Sequence, residues 1–281
     1  MKNNMRKATV DEIRETQLKM LSELDSFCKD NNIKYYAFAG TMLGAIRHNG
    51  FIPWDNDIDV AVPREDYIKM QELLKGEDAH PFFRFLCYEN DPNYLWQFGK
   101  LCAKHTYLKT TRGYSKLGLF LDVFPLDSQG NDMKAANQNL REAQKCVKMR
   151  VLAYDRKYNN KKYPTNATLM ERISIWINFT ILRHNTEEYW VKRHISLAQK
   201  FNKNRNSIFY GCNSNEKYAV VCERKMFDGE VYKSFEGHEI PLPIGYDDIL
   251  KLYYGDYMKL PPKEKQIGVK EMPIYFTEEC I

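Results

Sequence analysis

The sequence predicts a mixed α/β (α+β) protein: helices flank a mixed sheet, and a helical insert is added after it. Three observations carry that reading. Residues 35–39 (YYAFA) and 57–62 (DIDVAV) have the apolar and alternating patterns of strands, and a short helical stretch, 42–48, lies between them. Residues 118–127 (GLFLDVFPLD) alternate in the same way. Between 133 and 204 three helical patterns follow one another without a strand.

The elements follow in order. Residues 9–31 read as the first helix: Thr9 and Glu12 make a capping-box pattern, and Ile13, Leu21, Leu24 and Cys28 recur at helical spacing. Asn31-Asn32 ends it. The strand at 35–39 is broken by Gly40-Thr41, and a strand feeding a helix this way leaves backbone N–H groups aimed at one spot, favourable for phosphate. Asn49-Gly50 is a turn signal.

In the strand at 57–62, side chains two apart share a face, so Asp57 and Asp59 stand together while Ile58, Val60 and Val62 face the other way. Asp55 has the same parity. Carboxylates held side by side repel unless a cation lies between them. Oxygen-only ligands suit a hard ion, Mg²⁺ or Mn²⁺. The alternative, a solvated acidic edge strand, fits poorly with such apolar neighbours.

Pro63 opens a helix over 64–75. Strands at 82–88 and 94–103 flank a turn at 90–93, and Lys100 lies in the second. The polar stretch 106–118, with Lys109, Arg112 and Lys116, reads as a loop near the site. In 118–127, Pro125 is expected to stop the strand and Asp127 to cap the turn after it. Asp122 is a lone carboxylate among apolar residues, costly to bury without a partner, which a neighbouring metal would supply.

Helices are expected at 133–158, 169–182 and 187–204, with a break at Pro164. The run 169–182 (LMERISIWINFTIL) is the most apolar of the chain. It is too short for the ~20 residues that span a bilayer, and it reads as a buried core helix in preference to a membrane-touching surface. A hairpin of 225–232 and 235–240 around Lys233-Ser234 precedes a helix at 246–254. Tyr253, Tyr254 and Tyr257 read as core aromatics rather than a cup for a quaternary ammonium. The expected division is a catalytic core over 1–130, the helical insert over 131–206 and a completing segment over 207–281.

Composition narrows the function classes. Hydrophobic residues at 43% suffice for a packed core, and the net charge of +5, with Lys and Arg spread along the chain, gives no nucleic-acid footprint. Seven cysteines with no close pair indicate neither a disulfide framework nor a zinc site. With a polar stretch at 1–9 in place of a signal peptide, a cytoplasmic protein is expected, where sequons at Asn166 and Asn178 carry no weight.

The string GTMLGAIRHNGFIPWDNDIDVAVPREDY (40–67) closely resembles the signature of the LicD family, bacterial phosphocholine transferases related to the fukutin group. The run PIGYDDILKLYYGDYMKLPP (243–262) resembles the C-terminal end of the same family. Asn56 departs from the pattern, where relatives often carry an acid. The resemblance implies a nucleotidyltransferase-like fold with Asp122 as the third carboxylate. It also implies two Mg²⁺ or Mn²⁺ ions among Asp57, Asp59 and Asp122, with Asp55 a further ligand. Gly40 and Thr41 would hold donor phosphate. Arg47, His48 and Lys100 would be its charge partners, unless the first two serve the helix C-terminus and Lys100 is a surface lysine.

The implied reaction moves a phospho-alcohol, phosphocholine first, from a CDP-alcohol such as CDP-choline to a sugar hydroxyl of a glycan or glycolipid acceptor. A lipopolysaccharide, teichoic acid or capsule precursor would qualify, met at the inner face of the membrane through peripheral contact. The rivals are a nucleotidyltransferase, a glycosyltransferase built on the same Asp-x-Asp, and a non-catalytic nucleotide-binding relative.

Overall fold

The computed structural model describes residues 5–109, 114, 116–158, 168–181, 185–204, 206–212, 220–266 and 273–277. Arg112, Pro164, Asn166 and Cys280 fall outside them. The class is the expected one, a mixed sheet with flanking helices.

Helix α1 (Val10–Asp30) starts on the Thr9 capping box, with Thr9 and Glu12 bonded in both directions. Its buried residues Ile13, Met20, Leu21, Leu24 and Cys28 join the main core beneath the sheet. The central sheet has the order β2 (Tyr36–Ala37), β3 (Asp59–Pro63), β7 (Phe120–Gly130), β5 (Gly99–Ala103) and β4 (Phe83–Leu86). Strands β3 and β7 are parallel; the other pairings are antiparallel. Helix α2 (Ala39–His48) links β2 to β3, and helix α3 (Arg64–Leu73) follows β3 directly. Every residue of β3 but its last is buried, as expected of a central strand covered on both faces.

Several expectations need correction. Gly40 and Thr41 do not break the chain before a helix; they form the first turn of α2, which begins at Ala39. Strand β3 starts at Asp59, so Asp57 precedes the ladder. Strands β4 and β5 are shorter than the patterns suggested. Part of the expected loop is strand β6 (Thr106–Leu108), which pairs with β12 (Ile274–Phe276) and, through it, with β1 (Arg6–Lys7).

Pro125 does not stop β7. The Asp122 N–H donates to the Ile58 carbonyl, so even-numbered residues of β7 bond toward β3. Pro125 has the other parity. It falls where pairing with β5 has ended at Val123 and pairing with β8 (Phe209–Gly211) has not yet begun at Asp127. A residue without an N–H costs the ladder nothing there. Strand β9 (Val221–Glu223) extends this second half through β8.

The hairpin is β10 (Glu230–Phe235) and β11 (His238–Pro243), turning at Glu236-Gly237 and not at Lys233-Ser234. Both turn residues have positive φ, +50° and +81°, the conformation that a two-residue hairpin with native twist requires. Helix α7 (Tyr246–Tyr254) lies where expected. Tyr253 packs on the Phe38 ring, and Tyr257 is buried with its hydroxyl donating to Asp247 Oδ1 at 2.6 Å, so both behave as core aromatics.

Helices α4 (Met133–Tyr158) and α6 (Glu187–Ala198) pack together, burying Cys146, Met149, Ala153 and Trp190 between them. Helix α5 (Leu169–Ile181) departs most from expectation. Read as a buried core helix, it is exposed: Leu169, Met170, Ile173, Trp176 and Ile177 all face outward, and none belongs to a buried cluster. Among the described residues no helix is long and apolar enough to cross a membrane.

Candidate active site

Asp59 of β3 stands directly opposite Asp122 of β7, and Asp122 stands directly opposite Lys100 of β5. Residues in register on neighbouring strands project to the same face. Three charged side chains, all buried, are thereby lined up across the middle of the sheet. The Lys100 ammonium is hydrogen-bonded to Asp122 Oδ1 and lies 3.4 Å from the centroid of the Phe120 ring. Sequence reasoning left the partner of Asp122 to a metal. Lys100 is that partner in the fold itself.

The charge is nevertheless unbalanced. Burial pushes Asp59 well above the ordinary aspartate value, and the charges of Asp57, Asp122 and Asp55 push it further, against the pull of Lys100. Burial also raises Asp122, outweighing the charge and hydrogen bond of Lys100, with Asp57 adding to the rise. Asp57 thus reaches both carboxylates from the segment that leads into β3, although it is not on the ladder.

Gly40 and Thr41 adjoin this cluster. A Cβ at position 40 would lie 2.7 Å from Asp55 Oδ2, so only glycine leaves that carboxylate its place. The Thr41 hydroxyl oxygen accepts the Asp59 N–H at 2.8 Å and ties the start of β3 to the first turn of α2. Ala39, the first residue of α2, is fully buried with φ +44°, a conformation that costs a non-glycine residue about 1 kcal/mol or more.

Arg47 and His48 lie at the other end of α2, and their hydrogen bonds do not run to the acidic cluster. Arg47 Nη1 donates to the Tyr257 carbonyl at 2.7 Å and Nε to His48 Nδ1 at 3.4 Å. The His48 ring meets Trp54 edge-on. Burial lowers His48, and the charge of Arg47 lowers it further.

Asp127 is not a turn cap. It is fully buried within β7 and receives both Arg64 Nε and Nη2, at 2.7 and 2.8 Å, and Asn202 Nδ2 at 2.6 Å. Sequence reasoning missed this pair because it ended the strand at Pro125. With Pro63 opposite Leu126 in the parallel register, the residues that follow them, Arg64 at the start of α3 and Asp127 in β7, fall together.

Four carboxylates and one ammonium leave a surplus of negative charge that fits a hard divalent cation by the chemistry of its donors. Among the described residues no group of three or more His, Cys, Asp or Glu side chains is arranged as a ready-made metal cage.

Comparison with known proteins joins this geometry to a family. Residues 32–153 match the family described as LicD/FKTN/FKRP, nucleotidyltransferase domain, a span that contains every carboxylate of the cluster. Over 259 residues the chain is 30% identical to the lipopolysaccharide cholinephosphotransferase LicD of Haemophilus influenzae, covering 90% of this chain and 94% of that protein. The chain belongs to the LicD family. A shorter similarity links this LicD-family chain to the ribitol 5-phosphate transferase FKRP of mouse and human, 34% identical over 67 residues. That stretch is 24% of this chain and 13% and 12% of those proteins. The resemblance carried by residues 40–67 and 243–262 is therefore membership.

Proposed function

We propose that the protein transfers phosphocholine from a CDP-linked donor to a sugar hydroxyl of a lipopolysaccharide-type acceptor, releasing CMP. The near-full-length similarity to a lipopolysaccharide cholinephosphotransferase supports the choice of group and acceptor. The observation that carries the chemistry is the buried, unbalanced register of Asp59 and Asp122.

Asp57, Asp59 and Asp122, with Asp55, would hold one or two Mg²⁺ or Mn²⁺ ions. Bound there, such ions neutralise the pyrophosphate and lower the pKa of the attacking hydroxyl. The first-turn N–H groups of α2, at Gly40 and Thr41, would bind donor phosphate, since a helix leaves those donors without intrahelical partners. Lys100 favours the ionised form of Asp122 and so readies it as a ligand. Arg47 and His48 would act from the far end of α2 as charge toward the anionic donor, with Arg47 also fixing the segment around Tyr257.

The test is to supply the protein with Mg²⁺, a lipopolysaccharide acceptor and CDP-choline, CDP-ethanolamine, CDP-glycerol or CDP-ribitol in turn. CMP release and the mass of the modified acceptor are then measured. Acceptor-dependent CMP release, highest with CDP-choline, is expected. Preference for CDP-ribitol would favour the second reading, which rests on the 67-residue similarity to FKRP. A nucleotide-modified acceptor would replace both with nucleotidyl transfer.

A further inference from the structure

Five of the large apolar residues of α5 form a single stripe. Leu169, Met170, Ile173, Trp176 and Ile177 follow the helical period of one face. Leu169 is 74% exposed, Met170 76% and Trp176 59%. Scattered apolar residues on a surface need no explanation, but a contiguous stripe marks an interaction surface.

Charge identifies what covers it. Residues 131–206, which carry α5, hold 16 Lys and Arg against 6 Asp and Glu, a net charge of +10 in a chain whose total is +5. The rest of the chain is therefore net negative. Lys and Arg are clearly denser here than in the rest of the chain, and acids are about half as dense, so both differences make the imbalance. The exposed apolar stripe and the chain's positive charge thus fall in the same segment. An anionic lipid surface complements both: apolar side chains enter the acyl boundary, Trp suits the interface, and basic residues meet the headgroups.

A second copy of the chain fits less well. A five-residue stripe offers on the order of a few hundred Å², short of the ~800 Å² per partner of a standard protein interface. Nor can α5 cross the bilayer, since 13 residues at 1.5 Å each fall well below the ~30 Å hydrocarbon core.

We propose that α5 lies in the plane of an anionic membrane surface, apolar stripe down, and docks the protein there. The inference does not depend on the transferase reading, and its test uses vesicles that contain no acceptor. The full chain is mixed with phosphatidylglycerol–phosphatidylethanolamine vesicles, or with neutral phosphatidylcholine vesicles, and floated through a density gradient. Binding to the anionic vesicles is expected, weakening as salt rises.

The double variant Ile173→Ser/Trp176→Ser, altered at two exposed positions, should keep its circular dichroism and lose vesicle affinity about tenfold or more. The single variant Trp176→Phe should keep affinity but lose the blue shift of tryptophan emission on binding. Wild-type protein that stays below the vesicles at low salt would overturn the proposal. Unchanged affinity in the double variant would do the same. So would light scattering that shows a dimer abolished by the double substitution, because the stripe would then be a self-association face.

Discussion

Lys100 and Asp122 face each other directly across the β5–β7 ladder, with the ammonium of one bonded to the carboxylate of the other. Even-numbered residues of β7 turn their backbone bonds toward β3, so this is a non-hydrogen-bonded pair of the β5–β7 ladder, the kind whose side chains stand closest. Both residues are buried, and each is the other's compensation. Removing one partner of such a pair typically costs about 3–5 kcal/mol, whereas replacing both with apolar groups costs much less. Lys100→Met, which strands the Asp122 carboxylate, should lower stability on that scale, and Lys100→Met/Asp122→Leu should recover most of it. Urea unfolding of the wild type and the two variants checks this. A double variant no more stable than Lys100→Met would show that the two residues do not act as a pair.

Asp57→Asn and Asp59→Asn should each reduce CMP release by about 10³-fold, and EDTA should abolish release in the wild type. Asp59→Asn should melt at the same temperature as the wild type or higher without divalent ions, because it removes a repelled buried charge. Near-normal turnover in either variant at saturating Mg²⁺ would remove that residue from the site.

The raised pKa values of Asp59 and Asp122 set the sign of a pH dependence. From the ordinary value of 3.8 up to the folded value, the native state holds protons that the unfolded state has released. Stability therefore falls as pH rises through that window, and the full cost is present above it. In EDTA the wild type should lose melting temperature from pH 4 upward more steeply than Asp59→Asn. Parallel curves for the two proteins would mean that Asp59 carries no such penalty.

Gly40→Ala separates packing from function. Alanine favours a helix over glycine by up to about 1 kcal/mol, so stability should hold or rise slightly. The added methyl displaces the Asp55 carboxylate, whose Oδ2 would lie 2.7 Å away. Turnover should fall roughly tenfold or more, a loss on the scale that small misplacements cause in catalytic geometry. Full activity would show that Asp55 takes no part.

Arg64→Met should be among the most damaging substitutions outside the acidic cluster, costing about 3–5 kcal/mol by stranding Asp127 at zero exposure. Arg64→Met/Asp127→Leu should regain part of that loss in thermal melts. A single variant as stable as the wild type would show that Asn202 alone satisfies Asp127.

Local signals made much of this legible in the sequence. Thr9 with Glu12 marked the start of α1, and the Asp57–Asp59 repeat marked the acidic cluster before any sheet was known. Sequence reasoning failed where a residue's partner lies far along the chain. Lys100 could not be assigned to Asp122, nor Arg64 to Asp127, without the register of β3, β5 and β7. Pro125 misled because a proline usually ends a ladder, and only the change of neighbour beside it made room for one. The apolar run of α5 carried no sign of which side would be covered, since periodicity alone does not say whether a face meets protein, lipid or water.

Strand β7 also sets an order on how the protein must come together. Its first half can pair with β3 and β5 as soon as residues up to Val123 have left the ribosome. Beyond Pro125 the other edge must wait until α4 and α6 have been made, because the partner of Asp127 is Gly211. Over that interval a nascent chain presents an open ladder edge, the kind of exposed strand that chaperones shield and that aggregates when they do not. A chain ended before β8 would be left with that edge for good.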